Sequence, residues 1–162
     1  MTSTLTFHSD SEAKTTRLAV TCAESITAGL TIALNGQLGS GKTLFARAFC
    51  EGLKIDSSQV TSPTFVLMHL YHGLRWTVSH FDTYRLGGPD EFLALGAEEY
   101  LLNPNHICLI EWADRVAEIL PHDHLQVKIG QTGPTERQFD LVSYGTVSDG
   151  LLERIRNKLA LE

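Results

Sequence analysis

Gly36-Gln37-Leu38-Gly39-Ser40-Gly41-Lys42-Thr43 fits the pattern G-x-x-x-x-G-K-[ST] at every position. Before it runs Leu30-Thr31-Ile32-Ala33-Leu34, an apolar β-type stretch, and after it Leu44 to Leu53 reads as helix. That strand–loop–helix setting gives the pattern physical content. Glycines at 36, 39 and 41 let the backbone curl round an anion with its N–H groups inward. The helix beyond adds its free N-terminal donors and the positive end of its dipole. On this reading Leu38, Gly39, Ser40, Gly41, Lys42 and Thr43 wrap a nucleotide's phosphates, Lys42 reaches the β- and γ-phosphates, and the Thr43 hydroxyl ligates Mg²⁺. The plainer reading, a Gly-rich turn that happens to carry a lysine, leaves the fitting flanks to coincidence.

Outward from the loop, strands and helices alternate. Residues 4–7 read as a short edge strand or extended arm, and Ser9-x-x-Glu12 as a capping box opening a helix with Leu18, Ala19 and Cys22 on its apolar face. After the loop helix, Ser62-Pro63-Thr64 leads into Phe65 to Tyr71, which looks like a strand. His72-Gly73 turns it, and Trp76 to Phe81 alternates as the returning strand. Pro89 suits the start of a helix, and a further helical turn or two covers Ala97 to Leu102. Ile107-Cys108-Leu109-Ile110 reads as a strand buried on both faces. A helical segment from Asp114 to Leu120, strands at Leu125–Ile129 and Gln138–Val142, and a helix from Gly150 to Leu161 complete the chain. Two hairpins interrupt the βαβ order. The expectation is one α/β domain over residues 1–162, a P-loop three-layer sandwich whose mixed, mostly parallel central sheet carries helices on both faces.

A phosphate loop needs acidic partners for its metal, and in such sheets the ligand lies beyond the carboxyl ends of the strands. Two apolar strands end there in an acid: Val78-Ser79-His80-Phe81 in Asp82, and Ile107 to Ile110 in Glu111. Either suits Mg²⁺, directly or through water, and one of them suits the attacking water; the sequence does not say which does which. Ser62-Pro63-Thr64 is a candidate switch, or simply a turn before a strand. Arg85 suits phosphate, a partner or open surface, whereas Arg47 reads as structural or interfacial. The seven histidines lack any thiolate or H-E-x-x-H setting and read as surface or half-buried polar positions. Trp76 and Trp112 read as core or rim aromatics. No Asn/Thr-Lys-x-Asp run is present to select guanine, which favours adenine.

Composition narrows the class. The net charge is −6 and no Lys/Arg run occurs, so any nucleic acid is expected to be held by a partner. Three cysteines, 22, 50 and 108, stand apart in apolar runs, which fits buried thiols in a reduced interior. Met1-Thr2-Ser3-Thr4-Leu5 has neither a basic region nor a long apolar stretch, and no window approaches a membrane span. A cytoplasmic protein with no membrane partner is expected.

Together these motifs resemble the TsaE family, small bacterial ATPases. The resemblance rests on Leu34-Asn35-Gly36 through Thr43, Ser62-Pro63-Thr64, His80-Phe81-Asp82-x-Tyr84-Arg85-Leu86 and Ile110-Glu111-Trp112, in that order. It implies a role in making threonylcarbamoyladenosine beside the anticodon of tRNAs that read codons beginning with A. It implies ATP and Mg²⁺ as cofactors, and TsaD and TsaB as protein partners, with tRNA met through that complex. It puts residues 38–43 on the phosphates, Thr43 and Glu111 on the metal, Asp82 near the γ-phosphate or metal, and Glu12 on the nucleotide. Relatives usually carry Asp where this chain has Gln37. Two rivals keep the same loop. One is a small-molecule phosphotransferase, for which no Arg-rich lid is visible, and the other is a binding module in which ATP is only a structural ligand.

Overall fold

The computed structural model describes residues 2–162; Met1, the first residue of the N-terminal stretch read above, lies outside them. The strands are β1 (Thr4–Ser9), β2 (Leu30–Gly36), β3 (Met68–His72), β4 (Thr77–Asp82), β5 (His106–Glu111), β6 (His124–Gln131) and β7 (Arg137–Ser143). The helices are α1 (Glu12–Glu24), α2 (Lys42–Gly52), α3 (Pro89–Ala94), α4 (Ala97–Leu101) and α5 (Thr146–Ala160), with 3₁₀ segments at Ser57–Gln59 and Ala113–Ile119. All seven strands form one sheet in the order β1-β7-β6-β2-β5-β4-β3. The central four, β6, β2, β5 and β4, run parallel, while β7, β1 and β3 add antiparallel at the edges. Counting directions along these pairings, only β3 and β7 oppose the other five.

Strand alternation builds the layers. Ile32 and Leu34 of β2, Ile107 and Leu109 of β5 and Val127 of β6 face one way, where α1, α2 and α5 bring Leu18, Phe45, Phe49 and Leu152. Ala33, Cys108, Ile110 and Phe81 face the other way, under Phe92 of α3, Ala97 of α4 and Val116 of the second 3₁₀ segment. Phe81 and Phe92 meet edge to face at 4.9 Å. Each such fully buried side chain stabilises the fold by roughly 1.5–3 kcal/mol relative to exposure. The second layer stops short of β6 and β7, whose faces on that side carry Gln126, Lys128 and Asp140. The two strands therefore read apolar-in, polar-out, as antiparallel neighbours do.

Several boundaries differ from the sequence reading, among them the starts of α1 and β3. The cap of α1 is Ser11, whose hydroxyl accepts from Lys14 N at 3.2 Å. Ser9 is held in the β1–β7 ladder opposite Arg137, and its hydroxyl turns to Ser11 O and Thr15 instead. Strand β3 begins at Met68, not Phe65. Leu67 has φ +71 and its N–H donates to Pro63 O, so a turn occupies the start of the expected strand and leaves Phe65 and Val66 exposed.

Candidate functional site

The loop leaves the carboxyl end of the central strand β2 and ends at the first turn of α2. Gly36 is needed for close approach: a Cβ there would lie 2.5 Å from Ser40 Oγ and 2.9 Å from Ile129 O of β6. Gly41, at φ +110, turns the chain into α2 in the left-handed region that favours glycine. Within the loop Ser40 N donates to Gln37 O at 3.0 Å, while the N–H groups of Gly39, Gly41, Lys42 and Thr43 donate to no acceptor among the described residues. This is a patch of free donors at a helix N-terminus, the arrangement that suits an anion.

Lys42 is the first residue of α2 and is buried. Its Nζ donates to Gly36 O at 2.7 Å and Gln37 O at 3.0 Å, and sits 3.9 Å from the centre of the Trp112 ring. Burial pushes its ammonium below the ordinary lysine value, against Glu111, Asp82 and Asp114, which pull it back up. Trp112 is fixed at φ +59 directly after β5, with its carbonyl accepting from Thr83 Oγ1 at 2.6 Å. Backbone in that region costs a non-glycine residue about 1 kcal/mol or more. Such strain collects where side chains must be aimed.

The two acids end neighbouring parallel strands and lie side by side, Asp82 paired in register with Glu111. Both are almost wholly buried. Glu111 Oε1 accepts from Thr43 Oγ1 at 3.0 Å, tying β5 to the loop. Asp82 turns instead to the Ser62-Pro63-Thr64 segment: its Oδ2 accepts from Thr64 at 2.8 Å and Ser62 at 3.1 Å, and its Oδ1 from Tyr84 N at 2.9 Å. Lys42, Thr43, Asp82 and Glu111, with Leu38, Gly39 and Gly41 of the loop, line one cleft of about 310 Å³. Glu12 lies elsewhere. With Gly39, Ser40 and Gly41 it lines a second cleft of about 510 Å³, between α1 and the β6–β7 hairpin.

Three residues of this region escaped the sequence reading. His80, grouped there with surface or half-buried histidines, is fully buried in β4, with Nε2 2.6 Å from Glu111 Oε2. The available signal was a polar residue inside an apolar strand, two positions before the acid. Trp112, read there as a core or rim aromatic, is half-buried and meets the loop lysine, a contact the sequence did not announce. Arg137, at the start of β7, donates from Nε to Ser40 O at 3.0 Å and holds the loop from behind; nothing local in sequence announces a contact so far along the chain. Of the arginines weighed in the sequence, Arg47 donates to Val60 O and Arg85 covers the ring of Phe65. No cluster of His, Cys, Asp or Glu fit to hold a metal by itself occurs among the described residues.

A central parallel strand feeding a glycine-rich loop and helix, with acids on the tips of two neighbouring strands, defines a P-loop protein of the α/β class. The family description "Threonylcarbamoyl adenosine biosynthesis protein TsaE" matches residues 9–139. The tRNA threonylcarbamoyladenosine biosynthesis protein TsaE of Bacillus subtilis is 37% identical over 127 residues, 78% of each chain. Its namesake in Treponema pallidum is 43% identical over 93 residues, 57% of this chain and 67% of that one. The crystal structure of Bacillus subtilis YdiB superposes with a TM-score of 0.81 at 30% identity, covering 98% of this chain and 97% of the other. The chain belongs to the TsaE family, whose role is in threonylcarbamoyladenosine biosynthesis on tRNA. Among the described residues no helix is long and apolar enough to cross a membrane.

Proposed function

We propose that this chain is a Mg²⁺-dependent ATPase of the threonylcarbamoyladenosine pathway that works with the TsaD and TsaB proteins. The observation that carries the reading is the meeting of Thr43, Glu111 and Asp82 at the mouth of the phosphate loop. A hydroxyl and carboxylates are the hard oxygen donors that Mg²⁺ takes, and unpaired loop amides beside an ammonium suit phosphate oxygens. The donor set therefore fits both groups.

Thr43 and Glu111 would hold the ion, since their side chains already touch. Residues 38–43 would bind the phosphate oxygens, with Lys42 leaving the loop carbonyls to do so. Bound Mg²⁺ would supply charge neutralisation as the terminal phosphate departs. Asp82, fixed by Ser62, Thr64 and Tyr84 N, would orient the attacking water. Glu12 and Arg137, in the cleft across the loop, would flank the nucleoside. Positioning and charge stabilisation do most of the work in phosphoryl transfer, and this chain offers both. A net charge of −6 supports an indirect contact with tRNA, through the partners.

The test is phosphate release from ATP by the chain alone and with the TsaB–TsaD pair. A slow rate alone and a strong rise with the pair are expected. Absence of hydrolysis under both conditions would sink the reading. Transfer of labelled phosphate to a small acceptor would point to the phosphotransferase.

A further inference from the structure

The mechanism above uses one oxygen of Glu111. The other faces a buried histidine, and that histidine begins a chain of hydrogen bonds leading away from the site. His80 Nε2 lies 2.6 Å from Glu111 Oε2, His80 Nδ1 3.2 Å from Tyr71 Oη, and Tyr71 Oη 3.1 Å from His69 Nδ1. Register explains the spacing: His80 pairs with His69 across β4 and β3 and with Leu109 across β4 and β5, two residues before Glu111. His80 is fully buried and Tyr71 nearly so.

A carboxylate only accepts hydrogen bonds, so the ring nitrogen facing it bears the hydrogen. In the Nε2–H tautomer Nδ1 is an acceptor, and the Tyr71 hydroxyl lies 3.2 Å away to fill it. The Tyr71 oxygen keeps a lone pair for His69 Nδ1–H. Read this way, donors run without a break from β3 to the acid that ends β5. One oxygen of Glu111 is held by this chain and the other by the Thr43 hydroxyl, which leaves the carboxylate little freedom to rotate.

We propose that His80 is a positioning residue that fixes the Glu111 carboxylate toward Thr43, with Tyr71 setting its tautomer; the inference rests on the magnesium role proposed for Glu111. Partners that orient a metal-ligating carboxylate typically matter by about 10–100-fold in metal affinity or activity. His80 therefore acts on the demand for magnesium and leaves the grip on phosphate to the loop.

Two measurements decide it. The first uses the free protein without metal or nucleotide, labelled with ¹⁵N in its histidines. A two-bond ¹H–¹⁵N spectrum is expected to give His80 as the Nε2–H tautomer with a far-downfield, slowly exchanging ring proton, lost in Glu111→Ala. An Nδ1–H tautomer, or an unchanged signal in Glu111→Ala, overturns the proposal. The second is the magnesium concentration for half-maximal ATP hydrolysis, beside ATP affinity in chelator. His80→Phe is expected to raise the first roughly 10–100-fold and to leave the second within about twofold. His80→Gln, whose amide N–H reaches the position of Nε2, is expected to recover most of the loss. A uniform loss of ATP affinity without a magnesium shift, or equal behaviour of Phe and Gln, overturns it. Should His80→Phe fail to fold, His80→Gln and the spectrum carry the decision. Should the unaltered protein fail to hydrolyse ATP both alone and with the TsaB–TsaD pair, the ATPase reading falls, and the spectrum still decides the His80–Glu111 bond.

Discussion

Asp82 and Glu111 are the same kind of residue at the same kind of place, yet their partners separate them. Glu111 is tied to the loop through Thr43, and Asp82 to the Ser62-Pro63-Thr64 segment. Asp82→Asn tests the division. Hydroxyls both donate and accept, so Ser62 and Thr64 can turn to meet the new amide, and Tyr84 N keeps its carbonyl. Stability should change by less than about 1 kcal/mol and ATP affinity by calorimetry should hold. Turnover should fall by roughly 100-fold or more, the scale of a lost acid–base or water-positioning group. Undiminished phosphate release from this variant would remove Asp82 from the chemistry. At this scale the sequence was most legible where chemistry is local. Lys42 and Thr43 follow from eight contiguous residues, and the acids from strands that stop where polarity begins. His80 and Arg137 were not legible, because their meaning lies in partners 31 and 97 residues away.

Among the elements, α5 shows how a helix start can be built by a distant residue. Its first N–H groups are met by Asp123, which accepts from Val147 N at 2.7 Å and Ser148 N at 2.9 Å, although Asp123 precedes β6. Burial pushes the Asp123 carboxyl up, but the hydrogen bonds from Ser148 and Val147, with His124 nearby, outweigh it and hold the group below its ordinary value. A carboxylate with a lowered native pKa stabilises the fold fully above its ordinary pKa, and that stability is lost as pH falls through the native value. Asp123→Ala should therefore cost about 1 kcal/mol at neutral pH, the usual worth of a cap. In urea titrations the gap from the unaltered protein should close as the solution is acidified below the carboxylate range. A gap that stays constant into strong acid would mean the ionised cap is not its source. The sequence could not supply this cap, since it placed the start of the helix at Gly150 on apolar spacing alone. Elsewhere pattern sufficed: β2 and β5 are found where apolar runs put them, and β4 where alternation put it, because burial leaves little else for such segments to form. It failed at β3, where the apolar run 65–71 begins in a turn that leaves Phe65 and Val66 in solvent.

At the scale of the molecule, the phosphate loop is the point where the sheet's parts meet. It hangs from β2, packs on β6 through Gly36, and is held by Arg137 of β7 and by Glu111 of β5. The mixed sheet was legible as alternation interrupted by hairpins. The place of β7 and β1 beyond β6 was not, since strand order depends on pairings between distant segments. A ligand that grips this junction binds the native chain and not the unfolded one, so it must raise global stability. At a hundred times its dissociation constant it adds about 2.7 kcal/mol. For a chain of 162 residues that corresponds to a rise in Tm of roughly 5–10 °C. Magnesium ATP is expected to give this shift by calorimetric melting, and ATP in chelator a smaller one, because the Thr43 hydroxyl and Glu111 then have no metal through which to hold it. Lys42→Ala removes a charge-assisted contact worth about 1.5–3 kcal/mol, enough to weaken binding roughly 10- to 100-fold and to erase from about half to most of the shift at the same concentration. A full shift in the Lys42 variant, or none in the unaltered protein, would place the nucleotide somewhere other than this loop.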